Sequence, residues 1–174
     1  MSATERTRAR VTIDGSGNAT VATGLPVFDH LLGLLAAHAG FDLTLEVAPG
    51  DPLREIVDAG RALGESLTGP LGAAGARRIG SAVAPADEAL AHVALEASGR
   101  PLLVSNVDLS QSRVGGLRTD AVARFLEELA EGAGLTLHVR LVEGRETQHV
   151  LDAIFKALGL ALAKACRPRK GDLV

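Results

Sequence analysis

Residues 6–13, RTRARVTI, alternate long polar side chains with smaller ones and end on Val11 and Ile13. This period of two predicts a strand with one wet face. Asp14-Gly15-Ser16-Gly17 then offers the positive-φ positions of a tight turn, and NATVATG reads as a returning strand, so a β-hairpin is predicted to open the fold. At Pro26 the spacing changes. Val27, Leu31, Leu34 and Leu35 recur at three and four, which predicts an amphipathic helix through about Ala39, with Gly40 as its stop. FDLTLEV alternates again as a strand. Pro49 and Gly50 break it, and Asp51 with Pro52 reads as an N-cap and first-turn proline opening a helix to about Leu67.

The Gly-rich stretch TGPLGAAG, residues 68–75, is the expected internal boundary, giving half-repeats over 1–75 and 76–174 that together form one globular unit. Beyond it RRIGSAV, ALAHVALEA and RPLLVSNVDL read as strands and TDAVARFLEELAEGAG as a helix. LTLHVRLVEG reads as a strand and TQHVLDAIFKALGLALAKAC as a long helix, so the second half repeats the first with an extra strand or two. The repeat holds residue by residue: Gly40-Phe41-Asp42-Leu43-Thr44-Leu45-Glu46-Val47 lies over Gly134-Leu135-Thr136-Leu137-His138-Val139-Arg140-Leu141, and Gly50 lies over Gly144. One inserted residue later, Leu53-Arg54 lies over Gln148-His149 and Leu63-Gly64 over Leu158-Gly159. A duplicated and fused β-β-α-β-α unit accounts for glycines and apolar positions agreeing through both a strand and the following helix.

Composition narrows the function classes. With 174 residues, 18 basic against 21 acidic and a net charge of −3, the chain is one ordinary domain or two small ones. Its 47% hydrophobic content supplies a packed core and excludes disorder for its body. The single Cys166 can form neither an internal disulfide nor a CxxC metal site, which fits a reducing, cytoplasmic setting. No run approaches the roughly 18 uninterrupted apolar residues of a membrane span, and MSATERTRAR lacks a secretory signal's apolar stretch, so no membrane partner is expected. Four Phe with no Tyr or Trp, in a slightly acidic chain, argue against nucleic acid. The basic residues at Arg6, Arg8 and Arg10 and at Arg167, Arg169 and Lys170 read as solvated termini.

Without useful cysteine, the five histidines His30, His38, His92, His138 and His149 are the candidate metal ligands or acid/base groups. His149 and Asp152 stand one helical turn apart and are expected on one side of their helix, either supporting a divalent ion or forming a hydrogen-bonded surface pair. His138 on the preceding strand and His30 beside Asp29 are the groups that could converge with them.

TGLPVFDHLL, RRIGSAVAPADEALAHVALEASGRPLLVSNVD, FLEELAEGAGLTLHVRLVEG and HVLDAIFKALGLAL together resemble imidazoleglycerol-phosphate dehydratase, the metal-dependent dehydratase of histidine biosynthesis. The resemblance runs in order from about Asp14 to Lys170. It implies an α/β (α+β) fold of tandem duplicated β-β-α-β-α halves, a ribosomal S5 domain 2-like sandwich of sheets and helices. It also implies a homo-oligomer, a trimer that can build a larger cubic shell, with active sites between subunits.

The resemblance further implies two manganese ions bound by one helical motif of paired histidines and a glutamate per half, helped by the histidines of FDH and LHVR. Here the first motif, expected as HHTVED, reads Leu53-Arg54-Glu55-Ile56-Val57-Asp58, and the second reads Gln148-His149-Val150-Leu151-Asp152. Carried over by position, one site keeps His138 and Asp152 but meets Leu53 and Gln148; the other keeps His30 and His149 but meets Arg54 and Val57. Manganese is therefore expected to be absent or substoichiometric, with Arg54 placing a fixed cation where an ion would stand. The N-terminal glutamate position falls near Thr4, the glutamine after FDH is Leu34, and the C-terminal STKG reads Pro168-Arg169-Lys170-Gly171. What persists is the phosphate end: Arg78, Arg100 and Lys170 match phosphate-holding positions, and His38 and Asp87 match substrate-side positions. The expectation is an inactive or weakly active homologue that still binds a phosphate ester. An active dehydratase with an altered site or one completed by an intact paralogue, and a non-enzymatic assembly or regulatory subunit, are the alternatives.

Overall fold

A computed structural model describes residues 6–110 and 112–168. The first half comprises β1 (Arg8–Thr12), β2 (Ala19–Val21), α1 (Pro26–Ala39), β3 (Asp42–Glu46) and α2 (Pro52–Gly72). The periodicity places these five elements well, but the predicted hairpin does not form. β1 and β2 are not neighbours, because β3 lies between them, antiparallel to β1 and parallel to β2. The cause is non-local. β3 buries Leu43 and Leu45, which makes it the central strand, and the β2–α1–β3 crossover delivers it there. The Gly-rich connector serves β3 instead: Asp42 Oδ1 accepts from the Ser16 and Asn18 amides at 2.9 and 3.2 Å, and the Gly15 amide donates to the Gly40 carbonyl at 3.0 Å.

The second half comprises β4 (Ile79–Ala86), β5 (Ala89–Glu96), β6 (Leu102–Ser105), β7 (Arg113–Val114), β8 (Leu117–Arg118), α3 (Thr119–Ala133), β9 (Thr136–Glu143) and α4 (Thr147–Cys166). Its sheet runs β4-β5-β9-β6, with β5 antiparallel and β6 parallel to β9. β5, β6 and β9 therefore stand as β1, β2 and β3 do, and β4 is the added outer strand. The β7–β8 ladder between β6 and α3 is absent from the sequence reading, since two-residue strands carry no periodicity. The matched glycines do matched work: Gly40 and Gly134 end α1 and α3 at φ 70° and 69°. Their carbonyls accept from Gly15 and Gly99, each at 3.0 Å.

α2 runs past the expected end at Leu67 and through the Gly-rich stretch to Gly72, with Pro70 inside it. Leu67 and Leu71 are buried there, so the apolar face continues where composition suggests a break. The layers run sheet, helices, helices, sheet: α1 and α2 cover the first sheet, α3 and α4 the second. Across the middle, α1 packs on α4 and α2 on α3, so each helix pair unites the two halves. Close approach is built in by glycine: a Cβ on Gly64 would stand 2.6 Å from the Leu129 carbonyl oxygen, and one on Gly159 would stand 2.4 Å from that of Leu35. Phe125 ties the centre together, its ring centroid 5.2 Å from Phe28 and 5.7 Å from Phe155.

Candidate functional site

The α4 N-terminus gathers most of the candidate chemistry. Its N-cap residue, Glu146, makes no side-chain cap. Glu88, on the turn between β4 and β5, caps it from outside: Oε2 accepts from the Arg145 and Glu146 amides at 2.8 and 3.0 Å. Glu88 Oε1 meets His149 Nδ1 at 2.5 Å, and His149 Nε2 lies 3.3 Å from Asp87 Oδ2. The two backbone amides, then the imidazole, hold the Glu88 carboxyl down at about 2, and hydrogen bonding to Glu88 pushes His149 upward. Asp87 takes a left-handed φ of 52° to make this turn.

Asp152, one turn further along α4, faces a different set. Its Oδ1 lies 3.1 Å from His30 Nε2 of α1 and accepts from Gln148 Nε2 at 2.8 Å. His149 and Asp152 are thus near neighbours that point to separate partners, rather than jointly at one point. Gln148 and His30 thus share one oxygen of the Asp152 carboxylate. Asp29, beside His30, turns back to Thr23, accepting from its hydroxyl at 2.6 Å.

The other candidates are spread over the chain. His138 is exposed on the outward face of β9, diagonal to His92 and two residues from Arg140, beside an open depression of about 640 Å3 that Ser105 and Asn106 also line. Within one chain it does not meet Asp152. His38 is exposed on α1 with Nδ1 2.9 Å from the Leu34 carbonyl oxygen, and Leu34 packs partly into the core. Arg78 and Arg100 stand at the same end of the second sheet. Arg78, at φ 67°, donates from Nη2 to the Ala97 carbonyl at 3.0 Å, and Arg100 follows three residues after Ala97. Lys170 and Thr4 lie outside the described residues.

The equivalent end of α2 is chemically different. Asp51 caps it, accepting from the Arg54 amide at 3.0 Å. Leu53 is 40% exposed, Val57 offers no donor atom, and Arg54 reaches Asp58 at 3.8 Å along the helix. The contacts of Glu88 escaped the sequence reading. Its signal was an acidic pair, Asp87-Glu88, at a β-turn, but the helix end that it caps lies 58 residues away.

The sequence profile described as imidazoleglycerol-phosphate dehydratase matches residues 23–162. The chain belongs to that family. It is 42% identical over 162 residues to the imidazoleglycerol-phosphate dehydratase of Acetivibrio thermocellus, covering 90% of this chain and 83% of the relative. It is 44% identical over 164 residues to that of Syntrophobacter fumaroxidans, covering 91% and 83%. Solved structures agree. The Staphylococcus aureus imidazoleglycerol-phosphate dehydratase superposes with a TM-score of 0.86 at 33% identity, covering 94% of both chains. The Pyrococcus furiosus structure, in complex with (S)-C348, gives 0.82 at 28%, covering 97% of this chain and 94% of that one. Among the described residues, no helix is long and apolar enough to cross a membrane.

Proposed function

We propose that this chain is a dehydratase homologue that does not assemble the family's dimanganese centre, and that its dehydration of imidazoleglycerol phosphate is lost or residual. The observation that carries this reading is the donor set at the α2 N-terminus. Where the family resemblance calls for two imidazoles and a carboxylate, the chain presents Leu53, Arg54 and Val57. A leucine and a valine have no lone pair to give, and a guanidinium stays protonated and repels a divalent cation. These residues do not fit the metal.

At the α4 N-terminus, Gln148 and His30 already occupy the Asp152 oxygen and Glu88 occupies His149. Phosphate-ester recognition is proposed to persist at Arg78 and Arg100 with Lys170, in a cytoplasmic homo-oligomer whose neighbouring subunits complete the pocket. Support comes from Arg78 and Arg100 standing at one end of the second sheet and from fork-shaped guanidinium recognition of phosphate oxygens.

The test is metal content after dialysis, measured with turnover of imidazoleglycerol phosphate. Less than one manganese per chain and little turnover are expected; two retained manganese ions with full turnover would overturn the reading. A second reading, a subunit completed by an intact paralogue, is favoured by the survival of His30, His149 and Asp152 at one helix end. Co-expression with such a paralogue would then yield mixed oligomers with restored turnover.

A further inference from the structure

The β7–β8 hairpin carries two arginines directly opposite one another, Arg113 and Arg118. Directly paired residues share a face of the ladder, and like charges placed so are unfavourable unless something neutralises them. Arg118 is paired side-on with Asp120, its Nε donating to Oδ1 at 3.1 Å and its Nη2 to Oδ2 at 2.5 Å, which balances its charge and leaves its other N–H groups free to donate. Among the described residues, no carboxylate forms a salt bridge with Arg113. The hairpin overhangs a cavity of about 210 Å3, walled by Leu25 before α1, Leu53 and Ile56 of α2, and Leu117 and Ala121. Asp51 also lines it, its Oδ1 accepting from the Arg54 amide. The result is an apolar hollow rimmed by two guanidiniums and one carboxylate.

We propose that this cavity binds a small amphiphilic anion, with a carboxylate held by Arg113 and the unused edge of Arg118 and a short branched aliphatic tail against Leu25, Leu53 and Ile56. Guanidinium forks match planar carboxylates. At about 30 Å3 per water-sized unit, the hollow takes a molecule of about seven non-hydrogen atoms. The site is separate from the arginines proposed above for phosphate. Arg118 precedes the first residue of α3, whereas the loop carrying Arg100 is bonded to Gly134 at the far end; 15 helical residues span about 22 Å. The proposal is independent of whether dehydration survives.

The probe is 3-methylbutanoate, titrated into the full chain by calorimetry and by thermal shift at low salt. Saturable binding with a dissociation constant of ~0.1–10 mM is expected, in line with the affinity of such small ligands. Isosteric, uncharged 3-methylbutanamide is expected to bind at least about tenfold more weakly, as is the acid to Arg113→Glu. Arg113 is exposed, so this variant should keep its fold. Leu53→Asp, which sets a negative charge in the apolar wall without touching either arginine, should weaken the acid similarly. Binding to Arg78→Ala and Arg100→Ala should stay within about twofold. No saturation up to ~50 mM, equal binding to Arg113→Glu, or loss of binding in Arg78→Ala or Arg100→Ala would overturn the proposal.

Discussion

The N-termini of α2 and α4 occupy corresponding places in the two halves, and they have been filled by opposite means. At α4 an acidic turn from the sheet reaches over, caps the helix and grips His149, while Asp152 is shared by His30 and Gln148. At α2 the cap is local, from Asp51, and the next turn shows solvent an apolar Leu53 and an Arg54 loosely paired with Asp58. The frames match down to the glycines that let the helices touch, so the difference is confined to side chains at the helix ends. Scaffold and site are separable: the packing that holds a helix end in place is blind to what that end displays.

The comparison breaks most severely at the shared frame. Gly159→Ala and Gly64→Ala each force a methyl into a facing carbonyl oxygen, and each should cost about 3 kcal/mol or more, measured by urea unfolding. Near-equal losses would confirm that the two helix contacts are equivalent; a mild Gly64→Ala would show that α2 and α3 can separate where α1 and α4 cannot. Next, Asp42→Ala removes the acceptor for two connector amides and should cost about 2 kcal/mol in the same assay. A neutral result would mean that the β1–β2 connector does not need β3 to hold it.

The α4 end should also show a pH signature that the α2 end lacks. Glu88 is held below its usual value, so its contribution is present above about 4.5 and fades as pH falls toward about 2. His149 is raised, so its contribution is complete below 6.5 and fades as pH rises through its elevated value. The loss of Tm in Glu88→Gln should therefore be larger at pH 5.5 than at pH 9, because the charged pair exists only in the window between; equal losses would leave only the backbone cap. The smallest effect is expected at Arg54→Ala, within about 0.5 kcal/mol of the parent, as for exposed pairs along a helix. A larger loss would show that Arg54 is engaged beyond its own chain.

Much of this frame was legible because its signals are local. Pro26 to Gly40 and Asp51-Pro52 announce helix ends by backbone chemistry that needs no partner, and the offset that aligns Gly40 with Gly134 also aligns the strands behind them. The failures lie where the deciding contact is distant. A Gly-rich turn between two alternating segments says hairpin, and nothing nearby reveals that β3 will come between them. TGPLGAAG says linker, and only the burial of Leu67 and Leu71 carries the helix through it. At the site, positions could be named from motifs, but the partners could not: His149 and Asp152 share a helix face by spacing, while Glu88 and His30 divide them.

The crossed pairing of helices, α1 with α4 and α2 with α3, bears on how the chain is made. When the first 75 residues have left the ribosome, α1 and α2 are present but each lacks the helix it was shaped against, with Gly64 and Leu35 facing nothing. At about 5–20 residues per second, the remaining 99 residues take about 5–20 s to follow. For that interval the nascent chain holds two half-finished seams of Leu, Ile and Phe side chains open to water. Until the second half arrives, those seams are the surfaces on which a chaperone or another nascent chain can act.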